Sequence, residues 1–125
     1  MSVSRQRLGA RAEQFAAEDL EASGWEILAR NVRTRHGEID IIARERHALV
    51  FVEVKAGRLG TSVGPERPTL AVGLQKQRRI RRLAAAYLAG CPPLPRFAEI
   101  RFDVIGLSFA AGGELAGIEH LRNAF

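Results

Sequence analysis

The sequence lacks the features that mark secreted, disulfide-bonded or membrane-spanning proteins. Its single cysteine, Cys91, has no partner for a disulfide and no companions for a thiolate zinc site. No apolar run approaches the roughly 20 residues that a membrane helix requires, and the opening MSVSRQR lacks the apolar stretch of a secretory signal. We therefore expect a cytoplasmic protein that does not contact a membrane.

Aromatic and histidine residues are also scarce. Aromatic residues make up 6% of the chain and are not interleaved with basic residues as a base-stacking surface requires. The three histidines, His36, His47 and His120, have no metal-ligand spacing. We expect surface positions for the histidines and packing roles for the aromatic side chains.

The composition that remains is that of one ordinary globular domain covering residues 1–125. Apolar residues make up 46% of the chain and charged residues 26%, and this length can bury a core but does not divide easily into two domains. Lysine and arginine outnumber the acids by 19 to 14. Because arginine suits phosphate, the excess favours an anionic partner such as nucleic acid, although charge alone does not identify it.

Hydrophobic periodicity predicts the order helix, three strands, helix, strand and short strand. Glycine and proline between the third strand and the second helix predict a long loop there. This order predicts a mixed α/β (α+β) domain with a central sheet flanked by two helices. The predicted helices are 9–23, closed by Gly24, and 74–88; the strands are 25–32, 38–43, 49–55, 97–107 and 118–121; the loop is 56–73.

Two acidic residues lie at the ends of apolar strands. The third strand is apolar on both faces, which predicts a central position, with Glu53 and Lys55 on the face of Phe51. If residues 44 and 49 pair across a four-residue connection, the antiparallel register places Asp40 opposite Glu53. Two facing carboxylates are unfavourable without a cation, which Lys55, an arginine or a metal ion could supply.

A hard divalent ion is one solution, because Mg²⁺ or Mn²⁺ takes oxygen ligands and leaves positions for water and phosphate. Asp40 and Glu53 would be its carboxylate ligands, the backbone carbonyl of Val54 a further one, and Glu13 a supporting one from the inner face of the first helix. Lys55 would orient or deprotonate the attacking water. The alternatives are a solvated strand end for Glu53 and Lys55, and an arginine partner for Glu13.

The second helix carries basic residues on two sides. Lys76 falls on the apolar stripe, and we predict that Lys76 and Gln77 point towards the carboxylates and contact the scissile phosphate. The alternative is that Lys76 reaches past the core to solvent. Arg78, Arg81 and Arg82 form an outer basic face that either follows a phosphate backbone or is merely solvated.

Several segments together resemble the YraN family of small bacterial proteins, to which an endonuclease activity is attributed. The strongest are GEIDIIA at 37–43 and LVFVEVK at 49–55. The resemblance also includes Ala12-Glu13 with Ala17, Arg30-Asn31, the basic run KQRR at 76–79 with Tyr87-Leu88, and RFDV at 101–104. It covers nearly the whole chain.

The resemblance implies a restriction-endonuclease-like core of the PD-(D/E)XK type with the order αβββαβ, similar to that of archaeal Holliday-junction resolvases. Asp40, Glu53 and Lys55 take the three motif positions, and Glu13 matches the acidic residue of the first helix. Ile39 stands where the motif has proline. Ala56-Gly57 stands where family members often carry threonine and basic residues, a departure that counts against a phosphate-binding role for Arg58, the first basic residue after Lys55. The predicted nucleic-acid contacts are Lys76, Gln77, Arg78, Arg79, Arg58 and Arg82.

The leading prediction is a metal-dependent nuclease that hydrolyses phosphodiester bonds in DNA, including branched or junction DNA. A homodimer would bring two such sites together. Two other classes of protein fit the same residues. One is a non-catalytic nucleic-acid-binding module on this fold, and the other is an adaptor domain in which Asp40, Glu53 and Lys55 form an internal ion cluster.

Overall fold

A computed structural model describes residues 5–58 and 72–125 of the chain. Within these residues the chain forms two helices and five strands, in the order predicted from the sequence. The elements are α1 Arg5–Ala22, β1 Glu26–Thr34, β2 Gly37–Glu45, β3 Ala48–Arg58, α2 Leu74–Ala89, β4 Glu99–Phe109 and β5 Leu115–Leu121.

The described strands form one mixed sheet in the order β1-β2-β3-β4-β5. The first three strands are an antiparallel meander, β4 is parallel to β3, and β5 is antiparallel to β4. A parallel neighbour needs a long connection, and α2 lies within it. The prediction of a mixed α/β domain with β3 at its centre is confirmed.

Apolar side chains fill both faces of the sheet, which explains why β3 reads as a nearly continuous apolar run. One core lies between the sheet and α1, and small alanines let that helix approach closely; the other lies between the sheet and α2. The α1-side core includes Ala12, Ala16, Ala17, Leu20, Ile41, Val50, Val52, Ile105 and Phe109. The α2-side core includes Ile39, Ile42, Leu49, Phe51, Ile80, Leu83 and Phe102.

Helix α1 ends as the sequence predicts, at a glycine. Gly24 has a φ of 88°, and the N–H groups of Trp25 and Gly24 donate to the carbonyls of Leu20 and Glu21, each at 3.0 Å. This pair of bonds satisfies carbonyls that the helix end would leave without partners. The cap turns the chain directly into β1.

Two short hairpins set the register of the meander. Glu45 pairs with Ala48 across Arg46 and His47, and the pairing continues as predicted through Arg44 with Leu49. At the β1–β2 turn, Gly37 has a φ of 140°, and a Cβ there would lie 3.5 Å from Leu83 Cδ1. These turns bring the start of β2 beside α2 and the end of β3.

Three boundaries differ from the predictions by three residues or more. Helix α1 begins at Arg5 rather than at 9. The predicted loop at 56–73 is wrong for its first three residues, because β3 continues to Arg58 in a parallel ladder with 107–109 of β4. Residues 59–71 of that loop lie outside the described residues. Strand β5 begins at Leu115 rather than at 118.

Neither helix in the described part of the chain combines the length and apolar character that crossing a bilayer requires.

Candidate metal centre

Strands β2 and β3 separate at Asp40, and the side chain of Asp40 fills the opening. The described pairing ends at Ile41 with Val52, one step before the predicted facing pair of Asp40 and Glu53. Asp40 Oδ2 accepts a hydrogen bond of 2.8 Å from the backbone N–H of Val54. The carboxylate thus satisfies a donor of β3 at the point where the ladder stops.

Three carboxylates from two elements meet at this opening. One oxygen each from Glu13 of α1 and from Glu38 and Asp40 of β2 lie within 4.8 Å of one another. The structure therefore places Glu13 beside Asp40. Glu38 was absent from the predicted site. The spacing Glu38-x-Asp40 could have revealed it, because residues two apart normally lie on the same side of a strand.

Glu53 interacts with Asp40 and lies beside two lysines. Its Oε1 atom is 2.7 Å from Lys76 Nζ, and only 11% of the Glu53 side chain is exposed. Lys55 lies within hydrogen-bonding reach of Lys76. Lys76 therefore points into the site rather than past the core to solvent. The structure brings together the predicted residues Glu13, Asp40, Glu53, Lys55 and Lys76.

The electrostatics around Asp40 favour a cation. Burial, followed by the negative charges of Glu53 and Glu13, raises the pKa of Asp40 to about 8, although the bond from Val54 opposes the rise. Burial and the charge of Glu38 also raise the pKa of Glu13. These carboxylates repel one another more than the nearby donors compensate, and a divalent ion would relieve that repulsion.

The two lysines differ in how firmly they hold a proton. Burial, together with the neighbouring Lys76, lowers the pKa of Lys55 to about 8. Burial would also lower the pKa of Lys76, but its hydrogen bond with Glu53 outweighs that effect and raises it. Lys76 therefore remains an ammonium near neutral pH, whereas Lys55 can release its proton more readily.

The remaining predicted contacts surround the start of α2. Gln77 Nε2 donates to the carbonyl of Val72 at 3.0 Å, so this amide braces the approach to the helix. Arg58 is half-buried at the end of β3. An open groove of about 980 Å³ has a described lining that includes Lys76, Arg78, Arg79, Arg81 and Arg82.

Arg81 is exposed like the rest of the predicted outer basic face, but it also stacks on aromatic rings. Its guanidinium carbon lies 4.8 Å from the centroid of the Phe102 ring and 5.7 Å from that of Phe125. Arg78, Arg79 and Arg82 are exposed. We assign Arg81 a packing role against the aromatic rings, while the other three keep the outward positions expected of a phosphate-binding face.

A second buried carboxylate, Asp103, was not predicted. Its oxygens accept bonds from Arg101 Nε and Nη2 at 2.8 and 2.9 Å, and from the backbone of Asn123 at 3.0 Å. His120 Nε2 lies 2.8 Å from Oδ2. Asp103 is fully buried. A charged pair two residues apart in an otherwise apolar strand, Arg101-x-Asp103, was the available signal.

The prediction that His120 is an ordinary surface histidine is wrong. The β5 register pairs His120 with Ile105 and brings its ring against Asp103. Burial raises the pKa of Asp103, but His120, Arg101 and the Asn123 N–H outweigh burial and lower it to about 2. Arg101 also binds Glu45 Oε1 at 3.0 Å. The network holds the C-terminal segment against the sheet.

The mixed sheet, with a helix on each face and acidic and basic side chains where β2 and β3 separate, is consistent with a restriction-endonuclease-like core. The chain belongs to the Uncharacterised protein family UPF0102, which is the YraN family. The model of that family matches residues 12–107. The resemblance noted in the sequence is thereby confirmed.

Individual relatives match over the whole chain. A UPF0102 protein of Geobacter metallireducens is 45% identical over 125 residues, covering 100% of this chain and 97% of the relative. One of a Parafrankia species is 50% identical, with both chains fully covered. A more distant one, of Dictyoglomus turgidum, is 37% identical over 98% of this chain and 100% of its own. The names of these relatives give the family alone.

Proposed function

We propose that this protein is a metal-dependent nuclease that hydrolyses phosphodiester bonds in DNA. The observation that carries the proposal is the convergence of Glu13, Glu38 and Asp40 within 4.8 Å. Glu53 interacts with Asp40 and has Lys55 and Lys76 as neighbours. An excess of carboxylates beside lysines suits a site that binds a cation and a phosphate together.

The donor set fits a hard divalent ion. Carboxylate oxygens suit Mg²⁺ or Mn²⁺ rather than a soft metal, and the raised pKa of Asp40 reflects charge that such an ion would compensate. Glu13, Glu38 and Asp40 would hold the ion, with Glu53 and the Val54 carbonyl as further proposed ligands. When bound, the ion supplies Lewis-acid polarisation of the phosphate and activation of water.

The lysines have separate roles in this proposal. Lys55, with a pKa of about 8, can orient the attacking water and accept a proton from it. Lys76 keeps its charge because it bonds to Glu53, and its ammonium stabilises the negative charge that develops on the scissile phosphate. Lys76 also connects the two regions, because it pairs with Glu53 and lines the groove along α2.

DNA is the proposed substrate, including branched and junction DNA. Arg78, Arg79 and Arg82 would contact the phosphate backbone along the groove. Gln77, at the start of α2, and Arg58, at the end of β3, are further proposed contacts. Arginine forks suit phosphate oxygens, and such binding should weaken steeply as salt displaces it. Because cutting both strands takes two such sites, the proposal includes a homodimer.

Cleavage assays with matched variants test the proposal. Purified protein is incubated with branched, flapped, single-stranded and duplex DNA, with Mg²⁺, Mn²⁺ or EDTA. We expect cleavage that requires the ion and that falls by at least about a thousandfold in Asp40→Ala and in Lys55→Ala, a loss typical of removing a main electrostatic contributor. Asp19→Ala, at an exposed position of α1, is the matched control and should cleave normally.

Equal cleavage by wild type, Asp40→Ala and Lys55→Ala would assign the activity to a contaminant and reject the proposal. The exposed arginines of α2 also favour a second candidate, a nucleic-acid-binding module without catalysis. That candidate predicts DNA binding that is unchanged by EDTA and by Asp40→Ala, with no cleavage of any substrate. Charge reversal at Arg78 and Arg82 should weaken DNA binding under either candidate.

A further inference from the structure

Asn31 has an unusual backbone conformation in the middle of β1. Its φ is 51°, in the left-handed region that most residues with a side chain avoid. Asparagine and glycine adopt this region at the lowest cost. A left-handed residue inside a strand redirects the chain, so the side chains that precede and follow Asn31 need not keep the regular alternation of faces.

The side chains of β1 change faces at Asn31. Arg30 reaches α1, where its Nη1 donates to Gln14 Oε1 at 3.0 Å. Val32, two residues later, packs into the α2-side core. In a regular strand, residues two apart lie on the same face. The alternation is therefore reversed at Asn31.

The facing strand makes the same reversal. Ile41 lies in the α1-side core and Ile39 in the α2-side core, although they too are two residues apart. The pairs Arg30 with Ile41 and Val32 with Ile39 keep one continuous register. Both strands therefore turn together, and the residue that faces Asn31 at the turning point is Asp40.

This turn explains how one aspartate meets carboxylates from both sides of the sheet. In an unbroken strand Asp40 would share the α2 side with Ile42, while Glu13 approaches from α1. At the turning point Asp40 instead accepts a hydrogen bond from the Val54 N–H in the opening between β2 and β3. From there it is close to Glu13 and also interacts with Glu53.

The side chain of Asn31 adds a second contribution. Its amide acts on the Glu13 carboxylate as a hydrogen-bonding neighbour that lowers the pKa of Glu13, and the charge of Arg30 acts in the same direction. A neutral donor bonded to a carboxylate fixes its orientation without adding charge to the cluster. Asn31 thus lies opposite Asp40 in the register of the two strands and acts on Glu13 through its amide.

We propose that Asn31 is the positioning residue of the metal centre: its left-handed backbone turns Asp40 into the opening, and its amide orients Glu13 towards Asp40. This inference rests on the metal site of the proposed function. It assigns Asn31 no contact with substrate. Substitutions at Asn31 should therefore separate the effect of its backbone conformation on metal binding from the effect of its amide.

Calorimetric titration with Mn²⁺ alone separates the two contributions. Asn31→Gly keeps the left-handed backbone and removes the amide, and it should weaken Mn²⁺ binding about tenfold, the usual effect of losing a partner of a metal ligand. Asn31→Ala disfavours the backbone as well and should bind about a hundredfold more weakly. Asn123→Gly is the matched control, because Asn123 also has a φ of 51° but lies outside the acidic cluster.

A second measurement, on metal-free protein, reports the turn itself. NMR signals of the Ile39 and Ile41 methyl groups, which lie in different cores, should stay in place in Asn31→Gly and move in Asn31→Ala. Wild-type affinity in Asn31→Gly would overturn the role of the amide. Unmoved methyl signals together with wild-type affinity in Asn31→Ala would overturn the role of the backbone.

The controls separate failure of this inference from failure of the metal site. If the wild type binds no Mn²⁺, the metal centre is wrong and the positioning role is overturned with it. If the wild type binds and both Asn31 variants bind equally well, only the inference about Asn31 is overturned. Should Asn31→Ala fail to fold, Asn31→Gly still decides the role of the amide.

Discussion

Asp40 and Asp103 are two carboxylates of the same sheet in opposite surroundings. Around Asp103 the chain supplies Arg101, His120 and a backbone N–H, and together they lower its pKa to about 2 despite burial. Around Asp40, burial and two glutamates raise the pKa to about 8. The comparison separates a carboxylate that the fold itself neutralises from one that lacks sufficient positive charge nearby.

The difference assigns different roles to the two acidic regions. The Asp103 network is complete, because both oxygens are bonded, and it ties β4 to the segment that ends the chain. The Asp40 cluster is stabilised less well, since its described donors oppose but do not overcome the repulsion. Perturbed groups in a cleft often mark functional sites, whereas satisfied networks support the fold.

The largest expected effect is the loss of the Asp103 charge. Asp103→Asn should lower the free energy of unfolding by about 3 to 5 kcal/mol, because Arg101 would keep its largely buried charge with Glu45 as the one described carboxylate partner left to it. Urea unfolding at pH 7 measures this. Asp40→Asn in metal-free protein is the paired comparison and should not destabilise. Similar losses in both variants would remove the distinction between the two regions.

A smaller effect of opposite sign is expected from Asp40→Asn at pH 8. In metal-free wild type, folded Asp40 titrates near 8 and unfolded Asp40 near 4, so stability falls as the pH rises between these values. Asp40→Asn cannot ionise at this position, so its stability should not fall in this way as the pH rises. Because one pKa unit corresponds to about 1.4 kcal/mol, the variant should gain at least that much at pH 8 and almost nothing at pH 4.

The Asp103 region should titrate in the other direction. Its folded pKa near 2 lies below the unfolded value near 4, so its contribution is complete above pH 4 and is lost as the pH falls through 2. Unfolding curves from pH 2 to 9 should therefore rise and then fall. A wild-type curve without the decline above pH 4, or a decline that persists in Asp40→Asn, would contradict the account of Asp40.

The smallest expected effect concerns Glu38, the carboxylate that the sequence did not predict. Glu38→Gln should weaken Mn²⁺ binding by about threefold to tenfold, roughly 1 kcal/mol, because Glu38 is the exposed member of the cluster. Glu26→Gln is the matched control, since Glu26 is also exposed and pairs with an arginine of the same sheet. Equal affinity in the two variants would exclude Glu38 from the metal site.

The elements and the main register were predictable because they depend on local rules. Alternating and helical apolar patterns located every helix and strand described, and Gly24 fixed the end of α1. The four-residue connection set Arg44 against Leu49, which the structure confirms. The end of β3 was not predictable, because 56–58 become a strand only through pairing with β4.

The candidate site was predictable only in part. Asp40, Glu53 and Lys55 stand out because charge at the end of an apolar strand needs a reason, and Glu13 because it falls on the inner side of its helix. Glu38 escaped notice because an exposed glutamate beside a turn has an ordinary explanation. The partnership of Asp103 with His120 depends on a register between strands that no local pattern reveals.

The sequence by itself determined the apolar faces that bury the sheet, the order of its elements and the acids that need a partner, because each follows from side-chain chemistry at a fixed spacing. Only the tertiary structure decided which charges are neutralised within the chain. That outcome depends on a few ångströms between segments far apart in sequence: Arg101 and His120 reach Asp103. The turn at Asn31 brings Asp40 among other carboxylates.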